Sequence, residues 1–142
     1  METNERWLKL INIVKNFSFG TLWWIKDTVW KKSDPGFVIK NHKKYHPGCS
    51  IGGRKFSSLM QTIPMLLGSH SINHGMPIEN LTQKRKNGKG YFAIRPFNIC
   101  VCNVIGRDPG VYENFFKPEL TADEKKQLKI LLHSKGIEFD NK

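Results

Sequence analysis

The stretch Ile63-Pro64-Met65-Leu66-Leu67-Gly68-Ser69-His70 limits the fold more than any other part of the chain. Its apolar centre, Met65 to Leu67, is too short for a helix, and Pro64 stands at its start, a place suited to the first residue of a strand or to an edge. Gly68 breaks the run, and Ser69 and His70 follow at once. The expected picture is a buried strand that delivers a hydroxyl and an imidazole to one rim of a small sheet. Functional groups are often carried on such strand exits, above a rigid scaffold. The plainer reading makes Ser69 and His70 ordinary turn residues.

The rest of the chain supplies partners for that strand. Asn4 can cap a first helix, in which Trp7, Leu10, Ile11 and Val14 share one face. Gly20 opens a strand over 21–26, in which adjacent Trp23 and Trp24 must face opposite ways. Asp34-Pro35-Gly36 turns the chain into a second strand over 37–40. Residues 41–58, rich in Gly, Pro, His and Lys, read as an irregular insertion, and 68–90 as a second polar loop with a hairpin signal at Asn87-Gly88. Strands are expected at 91–94 and 98–105, the latter apolar on both faces and therefore central, with Pro96 bending the chain between them. Thr121-Ala122-Asp123-Glu124 has the form of a capping box opening a helix over 121–134, with Leu128, Leu131 and Leu132 as its apolar stripe and Gly136 as its stop. The expectation is one α+β domain over 1–142: an N-terminal helix (1–16), a small barrel of about five strands (19–105) with basic loops at 41–58 and 68–90, and a C-terminal helix.

Charge narrows the partners. The formal net charge is +11 and the pI about 9.7. Between Pro35 and Arg107 there are eleven Lys and Arg residues and one acid, Glu79. A field concentrated in this way attracts a polyanion, most commonly nucleic acid. Lys43, Lys44, Lys55, Lys84, Arg85, Lys86, Lys89 and Arg95 are the candidate phosphate contacts. Trp30 and Tyr45, with Trp23 and Trp24, are candidate stacking surfaces for single-stranded bases. There is no apolar run long enough to span a bilayer and no secretory leader pattern. Three cysteines, an odd number, offer no disulfide framework. A reducing, cytoplasmic setting is therefore expected, with no membrane partner.

Metal-free RNA cleavage needs a base for the 2′-hydroxyl, a cation for the crowded phosphate and an acid for the leaving oxygen. His70 can serve as base or acid, since an imidazole titrates near ~6.5. His46, in Tyr45-His46-Pro47-Gly48, is the candidate partner. Arg54 follows two glycines that let a phosphate approach closely, which makes it the candidate cation. Ser69 would position the phosphate. A zinc set of His46, Cys49, Cys100 and Cys102 has tolerable spacing. Strand alternation, however, puts Cys100 and Cys102 on one face like buried apolar residues, so no cofactor is expected.

The order of motifs resembles the PemK/MazF family of toxin endoribonucleases. Gly20-Thr21-Leu22-Trp23-Trp24-Ile25 is similar to that family's opening strand. Pro35-Gly36-Phe37-Val38-Ile39 is similar to its second strand, Ile63 to Ser69 to its third, and Leu120-Thr121-Ala122-Asp123-Glu124 to the start of its C-terminal helix. The resemblance runs over roughly 19–136, loops apart. It implies an SH3-like barrel, usually a homodimer, that cleaves single-stranded RNA without a metal and is held by an acidic antitoxin protein. It implies a catalytic role for Ser69. The family's arginine, which precedes the strand-two proline, is replaced in this alignment by Asp34, and an acid cannot stabilise a phosphorane. The cationic role would then pass to Arg54, Arg85 or Arg95. Two functions follow: a PemK/MazF-like endoribonuclease of a toxin–antitoxin system, or a non-catalytic basic barrel that binds nucleic acid or a nuclease, such as a phage-borne inhibitor.

Overall fold

A computed structural model describes residues 17–29, 45–52, 62–69, 79–85, 88–108 and 118–139. The expected N-terminal helix and the expected strand over 37–40 lie outside these residues.

The apolar stretches identified above become strands, and most of their neighbours are less apolar segments. Leu22–Lys26 is β1, Tyr45–Ser50 β2, Thr62–Ser69 β3, Asn80–Arg85 β4, Gly88–Ala93 β5, Phe97–Cys100 β6 and Val104–Arg107 β7. A 3-10 turn, Val101–Asn103, joins β6 to β7. Every described pairing is antiparallel, in the order β4-β5-β3-β2-β1-β7, with β6 also on β3. A helix, α1 (Ala122–Ser134), follows the sheet. The fold is thus α+β, with seven strands among the described residues.

β3 is the hub. Its first half pairs with β6 (Ile63 with Ile99), its middle with β2 (Leu66 with Cys49) and its last two residues with β5. Residues 63–69 are all buried, which fits a strand hydrogen-bonded on both sides. Pro64 is tolerated because its carbonyl still accepts from the Ile51 amide at 3.0 Å. Gly68 does not end the strand, contrary to expectation. It stands opposite Phe92, and a Cβ there would sit 2.6 Å from the phenyl ring. The glycine therefore admits an aromatic side chain into the sheet, and Ser69 remains inside β3 rather than on an exit loop.

Three expected boundaries are corrected. The 41–58 insertion contains β2, a central strand between β1 and β3. Its Pro47 pairs with Trp24 of β1 and lies just beyond the part of β2 paired to β3, which begins at Gly48. The polar loop over 68–90 contains β4, which pairs with β5 up to Arg85 and Gly88, as the hairpin signal at Asn87-Gly88 suggests. The run over 98–105 is two strands that part at the 3-10 turn, one going to β3 and the other to β1.

Strand alternation sorts the apolar residues into two clusters, one per face. Trp23, Ile25, Ile63, Met65, Leu67, Ile99 and Val104 pack on one side. Leu22, Cys49, Leu66, Leu81 and Phe92 pack on the other, beneath Leu128 and Leu132 of α1. Trp23 is buried and Trp24 half-buried, so the two tryptophans do face opposite ways. The helix begins at the expected capping box: Thr121 accepts from the Glu124 amide, and the Glu124 carboxylate accepts from the Thr121 amide at 2.9 Å. Gly136, at φ 68, ends it in the left-handed region that glycine tolerates. Burying each of Leu128 and Leu132 contributes about 1.5–3 kcal/mol. The exposed Lys135–Glu79 pair, 4.0 Å apart, adds at most about 1 kcal/mol, so apolar contact docks the helix.

Candidate functional site

β1 and β2 end together, and their shared end builds a dyad. Ile25 pairs with His46, and Asp27 is the first residue but one after that pair. The carboxylate of Asp27 takes a hydrogen bond from His46 Nδ1 at 2.5 Å. The Asp27 side chain is 4% exposed and that of His46 12%. A carboxylate can only accept, so His46 Nδ1 carries the proton of this bond. The second carboxylate oxygen, Oδ2, is buried and has no hydrogen-bond partner among the described residues. A buried acid fixing the tautomer and aim of a rim imidazole is the arrangement expected of a general base.

Ser69 lies two residues beyond Leu67, the last residue of β3 paired to β2, where β3 has passed to β5. Ser69 is 8% exposed and pairs with Tyr91. It is a buried strand residue, where a rim hydroxyl was expected.

The basic candidates separate by strand alternation. On β4, Lys84 is exposed and Arg85 buried; on β5, Lys89 is exposed. Arg85 is therefore no surface phosphate contact. Its guanidinium donates to Asp108 at 2.6 Å and to Gln83 at 3.1 Å, inside the protein. Gly90 makes room for it: a Cβ there would stand 2.5 Å from Arg85 Cδ. Asp108 follows β7, so this pair joins the two outermost strands of the pairing path, β4 and β7, which share no ladder. Arg95 is half-buried and lies over the Phe97 ring, 4.9 Å from its centroid. Tyr45 is half-buried against Trp24, with ring centroids 6.4 Å apart. Arg54, His70, Lys43, Lys44, Lys55, Lys86 and Trp30 lie outside the described residues.

The cysteines also depart from expectation. Cys100 and Cys102 are joined in a disulfide, and Cys49 lies apart from them, wholly buried under α1. Burial pushes the Cys49 thiol far above its ordinary range. The zinc set is not assembled, and no group of three His, Cys, Asp or Glu side chains is placed to hold a metal among the described residues. Among the same residues, no helix is long and apolar enough to cross a membrane.

Sequence reasoning singled out His46 and missed Asp27. The one available signal was an acid placed directly after a strand in a chain with few acids. No family model matches the chain, and no curated protein does.

Proposed function

We propose that the protein is a metal-independent endoribonuclease of the PemK/MazF-like kind, on an SH3-like barrel, cutting single-stranded RNA in the cytoplasm and held in check by an acidic antitoxin. The observation that carries this reading is the His46–Asp27 pair. His46 stands on β2, directly before Pro47 and opposite Ile25 of β1, and an imidazole held there by a buried acid supports acid–base chemistry. His46 takes the 2′-hydroxyl proton, the 2′-oxygen bonds to the adjacent phosphorus to give a 2′,3′-cyclic phosphate, and the P–O5′ bond breaks, the 5′-oxygen taking a proton from water. Lys84 and Lys89 lie on the exposed side of the β4–β5 hairpin and draw the strand toward the protein. The reading includes a homodimer as the working assembly.

A second reading, a basic barrel that binds without cutting, is favoured by two observations: Ser69 is buried in β3 and Arg85 is committed to Asp108. One assay separates the two. Purified protein is incubated with a labelled single-stranded RNA in the presence of EDTA. Cleavage that His46→Ala lowers by about two to three orders of magnitude supports the nuclease. Salt-dependent binding with no cleavage supports the second reading.

A further inference from the structure

The geometry points to Cys100 and Cys102 as a redox-active thiol pair on the surface, one that exchanges with a low-molecular-weight disulfide such as glutathione disulfide; this does not depend on the RNA-cleaving reading. The bond encloses a single residue, Val101, and lies in the turn between β6 and β7. A disulfide restrains the unfolded chain more as it encloses more residues, so this one restrains it least. Its two strands are also already fixed by the hydrogen bonds of β6 to β3 and β7 to β1. A structural staple is therefore a poor account of it. Access is good: Cys102 is exposed and Cys100 half-buried. The third cysteine, Cys49, is enclosed in the core and cannot compete.

The two sulfurs differ. The Cys102 backbone N–H donates to Cys100 Sγ at 3.4 Å. A donor aimed at that sulfur stabilises it as a thiolate, which makes Cys100 the attacking atom and Cys102 the resolving one. In the oxidising direction, the Cys100 thiolate attacks one sulfur of glutathione disulfide. A mixed disulfide forms and one glutathione thiolate leaves. The Cys102 thiolate then attacks Cys100 Sγ, the intramolecular bond forms, and the second glutathione leaves. Two electrons pass from the protein dithiol to glutathione disulfide, and the two thiol protons go to solvent.

The test equilibrates the folded, full-length protein in glutathione/glutathione disulfide mixtures of graded ratio, quenches with iodoacetamide and reads intact mass. The expected result is a reversible transition between a form that takes two alkyl groups and one that takes none and lacks two hydrogens. Cys49 should react only after denaturant is added. A pair that stays reduced at every ratio, or stays oxidised in the folded protein under excess dithiothreitol, overturns the proposal. So does a transition that reports only glutathione adducts without the intramolecular bond. For the order of attack, Cys102→Ser should trap a glutathione adduct at Cys100 about tenfold faster than Cys100→Ser traps one at Cys102. Equal or reversed rates overturn the assignment of Cys100.

Discussion

Two acid–base pairs of nearly equal length, 2.5 Å for His46–Asp27 and 2.6 Å for Arg85–Asp108, occupy opposite roles. The first stands at the shared end of β1 and β2 and keeps some contact with solvent. The second is sealed, with Arg85 at 5% and Asp108 wholly buried, and joins β4 to the residue after β7. Arg85 is spoken for by Asp108 and Gln83, and its charge cannot be given up, since a guanidinium stays protonated. His46 is an imidazole, a side chain whose chemistry can include proton transfer, and Asp27 accepts from its Nδ1. A short contact to a carboxylate is thus not in itself a sign of chemistry. Access and the ability to change protonation state are what separate the two pairs.

The contrast can be broken most forcibly at the buried pair. Arg85→Ala or Asp108→Ala leaves an uncompensated charge inside the protein and should cost about 3–5 kcal/mol in urea unfolding. Arg85→Met combined with Asp108→Leu should recover most of that loss, because apolar groups of similar size replace a buried ion pair at little cost. A single-variant loss below about 1 kcal/mol would mean that the two pairs are alike after all.

At the rim pair the chemistry should suffer more than the fold. His46→Ala should lower cleavage of single-stranded RNA by about two to three orders of magnitude, and should cost about 1–3 kcal/mol of stability as well, because it leaves the Asp27 carboxylate, 4% exposed, without its partner. A large fall in stability with unchanged cleavage would assign His46 to the scaffold. Asp27→Asn should keep the shape and remove the charge. A hydrogen bond to a charged partner is worth about 1.5–3 kcal/mol, so kcat should fall roughly ten- to hundredfold with KM nearly unchanged. A change confined to KM would refute a tautomer-fixing role.

The smallest effect tests the alternation of β4. Lys84→Ala and Lys89→Ala should each reduce the slope of log affinity against log salt by up to about 0.7, the share of one neutralised phosphate in single-stranded nucleic acid. Arg85→Met paired with Asp108→Leu should leave the slope unchanged, because Arg85 faces inward. An equal reduction from both would show that the hairpin's basic residues act as one surface.

How much of this was legible in the sequence depended on whether burial was carried by apolar side chains. β1, β3, the β4–β5 turn and the C-terminal helix with its capping box all follow from Leu, Trp, Ile, Asn-Gly and Thr-x-x-Glu patterns whose physics is local. β2 was hidden because Tyr45-His46-Pro47-Gly48-Cys49-Ser50 contains no apolar run. Its centre is buried through small residues: Gly48 faces Ile25 and Met65, where a Cβ would collide, and Cys49 packs under α1. β4 was hidden because Gln83 and Arg85 hold two of its inward positions, and only the ion pair with Asp108 makes those positions habitable. Asp27 could be identified only once β1 and β2 were paired, since it is far from His46 in sequence. In each case the missing information was a contact between distant segments.

The pairing of residues 118–120 with the start of β1 sets a timetable for synthesis. The Leu22 amide bonds the Pro118 carbonyl, the Leu120 amide bonds the Gly20 carbonyl, and Leu22 shares its core with Leu128 and Leu132. A ribosome delivers β1 well before these partners. Until α1 has cleared the exit tunnel, the nascent chain displays an incompletely paired strand that bears Leu22 and two tryptophans, an invitation to chaperones and to neighbouring chains. Closure of the fold around β1 therefore waits until residues 118–134 have been made and can reach it.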